Sequence, residues 1–206
     1  MRITFTRHGE SQANLLQVIS NRGLQHPLTL AGRRQAASLV ERLLDEQVTR
    51  IYSSPLLRAI ETTVILAERL GVEYEVTDAL RENDLGILEG RSDPAAWLTC
   101  KELFKAWCAQ NRWEQSIEGA ETFSHMRERF VPFIERLVRQ YGETSAHLVC
   151  VSHGGMYWTM LPLVLRNVDN AFITQRGGFD YTAVIETELR STGLVCTVWN
   201  GKPVAG

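Results

Sequence analysis

AHLVCVSHGG, residues 146–155, is the segment from which the fold class can be read most directly. Five of its first seven residues are apolar, with an unbroken run from Leu148 to Val151, which is typical of a strand buried on both faces in the middle of a parallel sheet. His153 follows, and two glycines then open a helix. A buried strand that passes directly into a helix is the unit from which layered α/β domains are built.

Strands and helices alternate along the rest of the chain. The segments that we interpret as strands are RITFT (2–6), RIYSS (50–54), VEYEVT (72–77) and a hairpin of YTAVIETEL (181–189) and LVCTVWN (194–200). Apolar residues at helical spacing predict helices over 32–46, from Pro55 in a first turn to a stop at Gly71, and after Gly119. The predicted fold is therefore α/β, with three α/β/α layers and a central, mostly parallel sheet.

Residues 89–118 differ from the rest of the chain in sequence pattern, because several aromatic side chains lie among charged residues without the alternation of a strand. We interpret this segment as a small helical insertion, or cap, beside the active site of a single domain spanning 1–206. Its tryptophans, among them Trp97, Trp107 and Trp113, have two readings. They either fill a small helical core or line the substrate entrance and favour an apolar or planar leaving group.

The composition limits the possible partners. The 206 residues carry a formal net charge of -2, so broad attraction to nucleic acid or to an anionic membrane is not expected. The longest apolar run, MYWTMLPLVL (156–165), is too short to span a bilayer. The four cysteines lack CxxC spacing, and no secretory signal pattern opens the chain, so we expect a cytoplasmic protein. The C-terminal strands could offer an edge for a homodimer.

Cationic side chains follow three of the predicted strands. Arg7 and His8 come directly after the first strand, His153 follows the central strand, and Arg58 lies one turn into the helix after the second. Ligands of open α/β sheets gather at the carboxyl ends of the strands. The helix that opens at Gly154 adds backbone N–H donors there. Together these groups predict a phosphate site, because arginine matches phosphate oxygens and histidine can attack or stabilise phosphorus.

Two other site chemistries are less consistent with the pattern. Histidines and acids at strand ends also build metal sites, but the adjacent arginines would repel a divalent cation, so we expect no metal and no cofactor. A thiol nucleophile is disfavoured because Cys150 lies inside the apolar strand rather than at its end. The remaining histidines, His26, His125 and His147, are expected to be structural.

Four motifs carry a resemblance to a known family. TRHGES (6–11), YSSPLLRAIETT (52–63), LRENDLGILEG (80–90) and VSHGG (151–155) together resemble the histidine phosphatase superfamily, in its phosphoglycerate-mutase-like branch. PLTLAGRRQA (27–36) and EGAETFSHMRERF (118–130) resemble two less specific family segments. The resemblance extends over nearly the whole chain, and it implies an enzyme that works through a phosphohistidine intermediate.

The resemblance also implies residue roles. The phosphohistidine would form on His8, the phosphate pocket would contain Arg7, Arg58 and His153, and Asn14 would line that pocket. The chemistry agrees, because two arginines and a histidine can stabilise the charge on the equatorial oxygens. The attacking nitrogen of His8 must be unprotonated, which requires a hydrogen bond that holds its other nitrogen.

The proton donor implied by the resemblance is Glu82, through the family pattern Glu-x-x-x-Gly that Glu82 and Gly86 match. A carboxyl beside apolar walls keeps its proton near neutral pH. Asp84 is the alternative donor, but we read it as a solvated loop acid. Glu10 and Ser11 are interpreted as caps of the helix that follows them.

Mutases and phosphatases of this family share the pocket and differ in what holds the rest of the substrate. Here NDLG (83–86) stands where family mutases carry an Arg-x-Tyr-Gly-like stretch, and the insertion offers Lys101, Lys105 and Arg112 singly. These features favour a phosphatase of small phosphomonoesters. The alternatives are a cofactor-dependent phosphoglycerate mutase and a regulatory protein that binds a phosphorylated ligand without turnover.

Overall fold

The computed structural model describes residues 1–204 and contains one mixed sheet. Its strands are β1 (Arg2–Arg7), β2 (Val48–Ser53), β3 (Tyr74–Val76), β4 (His147–Ser152), β5 (Val184–Arg190), β6 (Gly193–Trp199) and β7 (Lys202–Pro203). The strand order is β3-β2-β4-β1-β5-β6-β7. The first four of these are parallel, and β5, β6 and β7 continue the sheet in antiparallel fashion. The predicted central position of β4, between β1 and β2, is confirmed.

Within residues 1–204, seven α-helices connect and cover the strands. They are α1 (Gln12–Leu15), α2 (Leu30–Leu43), α3 (Leu57–Leu70), α4 (Pro94–Gln110), α5 (Phe123–Tyr141), α6 (Gly154–Val164) and α7 (Asn170–Arg176). Three short 3-10 turns accompany them at Leu44–Glu46, Asp78–Leu80 and Gly86–Leu88. Both the predicted C-terminal hairpin and the helix that follows β4 are present.

The side chains of β4 alternate between two separate cores. Leu148 and Cys150 belong to a core that includes residues of α5 and α6, whereas Val149 and Val151 belong to one formed with α2 and α3. All four are fully buried, so each face of the strand is covered. This arrangement confirms the three predicted layers. Truncation of Leu148 to alanine would cost about 2–5 kcal/mol of unfolding free energy.

Several predicted helix boundaries were wrong by a few residues. The helix predicted over 32–46 begins earlier, at Leu30, because the Thr29 hydroxyl accepts from the Gly32 N–H and caps the helix. Its last three predicted residues form a 3-10 turn. Pro55 does not lie in a first turn, since Leu56 is the N-cap of α3. As predicted, α3 ends at Gly71, which has a positive φ.

The cap segment contains a single 17-residue helix, α4. The Asp93 carboxylate accepts from the Ala96 N–H, and Pro94 occupies the first turn, so both start signals act together. The helix ends where Asn111 adopts a left-handed conformation. On its inner face Trp107 is fully buried and packs against a neighbouring aromatic ring of α5. The segment is thus helical, as expected.

Candidate active site

The carboxyl ends of the three adjacent parallel strands meet at one edge of the sheet. In the strand register Arg7 is paired with Ser152, and Ser53 is paired with Val151. His8 and His153 therefore emerge side by side, with ring centroids 5.0 Å apart. The convergence of the sequence motifs at the carboxyl edge follows from the direction of the strands.

His8 is held as a neutral imidazole with Nε2 unprotonated. Its Nδ1 lies 2.6 Å from the Gly9 carbonyl oxygen, which only accepts, so Nδ1 carries the proton. Nε2 accepts from Arg58 Nε–H at 3.0 Å. Burial, reinforced by the positive charges of Arg58 and Arg7, holds the pKa of His8 well below its usual value. The hydrogen bond expected to hold the second nitrogen is present.

Arg58 is the second residue of α3, in the first turn rather than one turn into the helix. Besides His8, its guanidinium donates to the Ser20 carbonyl at 2.6 Å and to Asn21 Oδ1 at 3.3 Å. Burial lowers the pKa of Arg58 to about 10, opposed chiefly by the Glu82 carboxylate. The side chain is thus a fixed cation at neutral pH, anchored by a loop that the sequence motifs do not include.

Arg7 also lies close enough to His8 to lower its pKa, and it retains a donor that is not used within residues 1–204. Its Nη1 donates to the Phe179 carbonyl at 2.7 Å, and the guanidinium stacks 4.3 Å above the ring of Tyr181. Arg7 Nε is buried without a hydrogen-bond partner within residues 1–204. Burial lowers the pKa of this arginine. Since buried polar groups are nearly always paired in native proteins, the free N–H marks a place for a ligand acceptor.

His153 is buried next to His8 and leaves one nitrogen free. Its Nε2 lies 2.6 Å from the Ser54 hydroxyl, which also accepts from the Leu56 N–H. Its Nδ1 has no hydrogen-bond partner in the described part of the chain. Burial first, and then the charge of Arg58, keeps the pKa of His153 well below its usual value. In the tautomer in which the Ser54 hydroxyl donates to Nε2, Nδ1 carries a proton that a ligand oxygen can accept.

Glu82 faces the two arginines from a loop on the other side of the site. Its carboxylate accepts from the backbone N–H of Asn83 at 3.1 Å and of Gly155 at 2.9 Å. Burial raises the pKa of Glu82, and the two N–H donors and the arginines only partly oppose the rise. A Cβ on Gly155 would lie 2.9 Å from Glu82 Oε1 and 3.0 Å from Phe104 Cζ. Glycine at this position thus lets the carboxyl, the α6 N-terminus and the cap meet.

The loop that carries Glu82 is shaped by Asp84 and Gly86, which belong to the same sequence motif. Gly86 has a φ of 60°, and a side chain there would overlap the Glu118 carbonyl oxygen. Asp84 accepts from Arg22 at 2.7 Å and from the Gly86 N–H at 2.8 Å. The expectation of a solvated acid at this position was wrong, because Asp84 is paired and shapes the turn.

The side chains of Glu10, Ser11 and Asn14, which follow His8, hydrogen-bond near the starts of two helices. Ser11 is the N-cap of α1, and Asn14 Oδ1 accepts from both its N–H and its hydroxyl, at 3.0 and 2.9 Å. Asn14 also lines the cleft above the site, as does Gly154. Glu10 accepts instead from the hydroxyl of Thr29, the cap of α2. The capping role is therefore confirmed for Ser11, whereas Glu10 supports a different helix from the one predicted.

The site opens into a cleft of about 700 Å³ between the sheet edge and the cap. Arg7, His8, Arg58 and Glu82 line its inner end. His153 is buried beside His8 and does not line the cleft itself. Aromatic side chains contributed by α4, α6 and the loop after α7 line the outer part: Trp97, Phe104, Trp158 and Phe179. Of the cap tryptophans, Trp107 is buried in the core, whereas Trp97 lines the cleft.

The other candidates from the sequence lie outside this cleft. His26, His125 and His147 each hydrogen-bond to a neighbouring hydroxyl or backbone group. Burial strongly raises the pKa of the Cys150 thiol, which disfavours a thiolate nucleophile. Within residues 1–204 no group of three or more His, Cys, Asp or Glu side chains is arranged to hold a metal ion. No helix in that range is both long and apolar enough to cross a membrane.

Concentrated positive charge and a neutral imidazole at the carboxyl edge of an α/β sheet define a phosphoryl-transfer class of site. The chain belongs to the histidine phosphatase superfamily (branch 1), whose sequence profile matches residues 3–202. The family and the enzyme class predicted from the sequence, a phosphatase of this superfamily, are thereby confirmed.

Known relatives include proteins named after each of the two activities considered from the sequence, phosphoglycerate mutase and phosphatase. Phosphoglycerate mutase-like protein 4 of Arabidopsis thaliana is 35% identical over 157 residues, which cover 75% of this chain and 66% of that protein. Glucosyl-3-phosphoglycerate phosphatase of Mycolicibacterium vanbaalenii is 30% identical over 160 residues, covering 75% and 70%. A mycobacterial glucosyl-3-phosphoglycerate phosphatase solved with VO3 aligns over 98% of this chain and 99% of its own, with a TM-score of 0.79 and 27% identity.

Proposed function

We propose that this protein is a metal-independent phosphatase that hydrolyses small phosphomonoesters through a phosphohistidine on Nε2 of His8. The observation that carries the proposal is the state of His8, whose Nδ1 proton is fixed on the Gly9 carbonyl while Nε2 keeps its lone pair. Two buried nitrogens near it, Arg7 Nε and His153 Nδ1, have no hydrogen-bond partner within residues 1–204, and when protonated they suit the oxygens of a phosphoryl group.

In the first half-reaction, the lone pair of His8 Nε2 attacks phosphorus and the P–O bond to the leaving group breaks. The electron pair of that bond stays on the leaving oxygen, which takes the proton of Glu82. Arg58 Nε–H, which donates to Nε2 in the free enzyme, turns to a phosphoryl oxygen when Nε2 forms its bond. The raised pKa of Glu82 supports its role as the acid.

In the second half-reaction, a water molecule attacks the phosphorus of the phosphohistidine. The ionised Glu82 takes one water proton, the P–N bond breaks and its electron pair returns to His8 Nε2. The products are the alcohol and inorganic phosphate, and the enzyme regains its starting protonation. The charges of Arg7 and Arg58 offset the dianionic phosphoryl group throughout, so the electrostatic stabilisation that a metal provides elsewhere comes from the two guanidinium groups.

Hydrolysis of p-nitrophenyl phosphate after exhaustive chelation tests this proposal. We expect an unchanged rate with chelator, inhibition by vanadate, and no turnover by His8→Ala. His125→Ala serves as the matched control, because His125 lies outside the cleft and should be dispensable for turnover. A rate lost on chelation and restored by zinc, magnesium or manganese would overturn metal independence, and a protein that binds phosphate without turnover would be a regulatory module.

One observation favours phosphoglycerate mutase as a second candidate function. Lys101 and Lys105 both line the cleft from one face of α4, although the sequence presented them as single cations. Two ammonium groups could hold the second phosphate of a bisphosphorylated intermediate. Incubation with 3-phosphoglycerate and its bisphosphate primer decides between the candidates. Phosphate release faster than 2-phosphoglycerate formation supports the phosphatase, and the reverse order supports the mutase.

The finer points of organisation also belong to this proposal. We propose a single domain over 1–206 with a cap at 89–118, located in the cytoplasm and without nucleic-acid partners. The last two residues of that range lie outside the described part of the chain. A homodimer through the C-terminal edge is disfavoured by Lys202 and Pro203 on β7, since both residue types discourage strand addition. Sedimentation velocity measures the oligomeric state.

A further inference from the structure

Helix α4 presents one face to the core of the protein and another to the cleft. Its core-facing residues include Ala96, Leu103 and Trp107, which are buried. Residues 97, 101, 104, 105 and 108 recur at helical spacing and line the cleft. This second face carries Trp97, which remains 37% exposed, and Phe104, which is partly buried beside Trp107, so aromatic surface is left available for the part of the substrate beyond the phosphoryl group.

Phe104 brings this face into the reaction centre. The position of a Cβ on Gly155 is 3.0 Å from Phe104 Cζ and 2.9 Å from Glu82 Oε1, so ring and carboxyl flank the same small space. Because Glu82 protonates the leaving oxygen in the proposed mechanism, the carbon attached to that oxygen lies against Phe104. The first carbon of the leaving group therefore contacts an apolar ring.

Trp97 lies on the same face of α4, and its side chain is held in place by a hydrogen bond. Its indole N–H donates to the Gln17 carbonyl at 2.8 Å, while the side chain remains 37% exposed. An aromatic ring anchored by its polar edge offers its face to a ligand without first losing side-chain entropy. Its exposure at the cleft, together with Val18 from the loop after α1, leaves apolar surface that a ligand can cover.

Trp158 and Phe179 also line the cleft, from outside the cap. Phe179 is held by the rings of Tyr157 and Trp199, with centroid distances of 6.0 and 5.1 Å. Aromatic surfaces from α4, α6 and the loop after α7 thus meet around the outer cleft. A planar apolar group would gain the free energy of burial against these rings, whereas the hydroxyls of a polyol would find hydrogen-bond partners only at the polar lining residues, such as Asn14 and Lys101.

We propose that the outer cleft is an aromatic-ring site, so that the preferred substrates are phosphomonoesters of alcohols that carry an aromatic ring close to the ester oxygen. This inference rests on the proposed function for the orientation of the ester. The aromatic-ring site consists of Trp97, Phe104, Trp158 and Phe179.

The test compares 2-phenylethyl phosphate with ethyl phosphate, two primary alkyl esters that depend equally on a proton donor. We expect kcat/KM to be about 10- to 200-fold higher for the phenylethyl ester. Trp97→Leu should reduce this preference, and Trp97→Phe, which keeps a ring, should restore most of it. The matched control is Trp113→Leu, because Trp113 lies in the cap but stacks on Phe123 outside the cleft.

Equal kcat/KM for the two esters, or the same effect of Trp97→Leu and Trp113→Leu, would overturn the aromatic-ring site. Calorimetric binding of 2-phenylethylphosphonate and ethylphosphonate separates this outcome from failure of the proposed function. If neither ester is hydrolysed and the phenylethyl compound binds more tightly, the site stands and the proposed activity falls. If both esters are hydrolysed and both phosphonates bind equally, the activity stands and the site falls.

Discussion

Glu82→Gln should separate proton donation from the shape of the site. Both carboxylate oxygens accept a backbone N–H, from Asn83 at 3.1 Å and from Gly155 at 2.9 Å. Glutamine keeps one acceptor oxygen but turns an amide NH₂ toward the other N–H, which loses its partner. Such an unsatisfied buried donor costs about 1–3 kcal/mol of unfolding free energy, so the variant should fold with a lowered melting temperature.

The kinetic loss should depend on the leaving group. Loss of a general acid lowers the rate by about 10²–10⁴-fold, which at about 1.36 kcal/mol per tenfold corresponds to about 2.7–5.4 kcal/mol of transition-state free energy. This loss applies to an alkyl phosphate, whose alkoxide leaves poorly without a proton. Nitrophenolate leaves unaided, so p-nitrophenyl phosphate should lose much less. Any displacement of the backbone affects both substrates, and therefore cancels in the ratio of their losses.

The assay is kcat/KM for both substrates, because this parameter reports the steps up to release of the alcohol. Hydrolysis of the phosphohistidine, which also uses Glu82, is common to both esters and contributes only to kcat. The variant should accordingly show a burst of nitrophenol followed by slow turnover. In the wild type, the rate with alkyl esters should fall as pH rises through the raised pKa of Glu82, and Glu82→Gln should lack this fall.

Glu89→Gln is the matched control for this experiment. The Glu89 carboxylate also accepts two backbone N–H groups, from Asn21 at 2.7 Å and Leu85 at 3.0 Å, but it does not line the cleft. It should share the loss of stability without the leaving-group dependence. Equal losses of kcat/KM for alkyl and nitrophenyl esters in Glu82→Gln would show that Glu82 positions other groups and does not donate a proton.

Two further changes test the packing and the charge state of the site. Gly155→Ala introduces a methyl group 2.9 Å from Glu82 Oε1 and 3.0 Å from Phe104 Cζ. The methyl group displaces the Glu82 carboxyl, so kcat for alkyl phosphates should fall by about 10²-fold. An unchanged kcat would contradict the close approach of Glu82 and Phe104 to Gly155. Unfolding free energy, measured with urea, should decrease as pH falls below about 6.5, because burial keeps the pKa of His8 and His153 lower in the folded protein and the unfolded chain takes up the protons. Each histidine contributes up to about 1.4 kcal/mol of unfolding free energy per pH unit. The raised pKa of Glu82 acts in the opposite direction, because it stabilises the folded protein as pH falls. The same pH dependence of unfolding free energy in His153→Asn and the wild type would contradict the buried neutral state of His153.

The layers of the fold could be predicted because they depend on local patterns. The apolar run of β4 requires cover on both faces, and the structure supplies a core on each side of Leu148 and Val149. The site residues at strand ends could be predicted for a related reason, since parallel strands bring their carboxyl ends to one edge. Arg7, His8 and His153 therefore meet wherever the intervening loops run.

Contacts made by loops could not be predicted in this way. Arg58 is anchored by Ser20 and Asn21, which precede it by 38 and 37 positions and belong to no periodic element. The position of Phe104 against Glu82 depends on how the cap folds back over α6. Ser54, which orients His153, did lie within a recognised motif, so its hydroxyl beside the strand end was an available signal.

Trapping the phosphoryl group tests the central claim most directly. Wild-type protein mixed with a ³²P-labelled phosphomonoester and quenched in base should carry acid-labile, base-stable phosphate. Peptide mapping should place this label on His8. More label should accumulate on Glu82→Gln with a nitrophenyl ester, because water attack is then slowed, and none should form on His8→Ala. A wild-type enzyme that turns over without such a label, or with the label on another residue, would contradict the phosphohistidine mechanism.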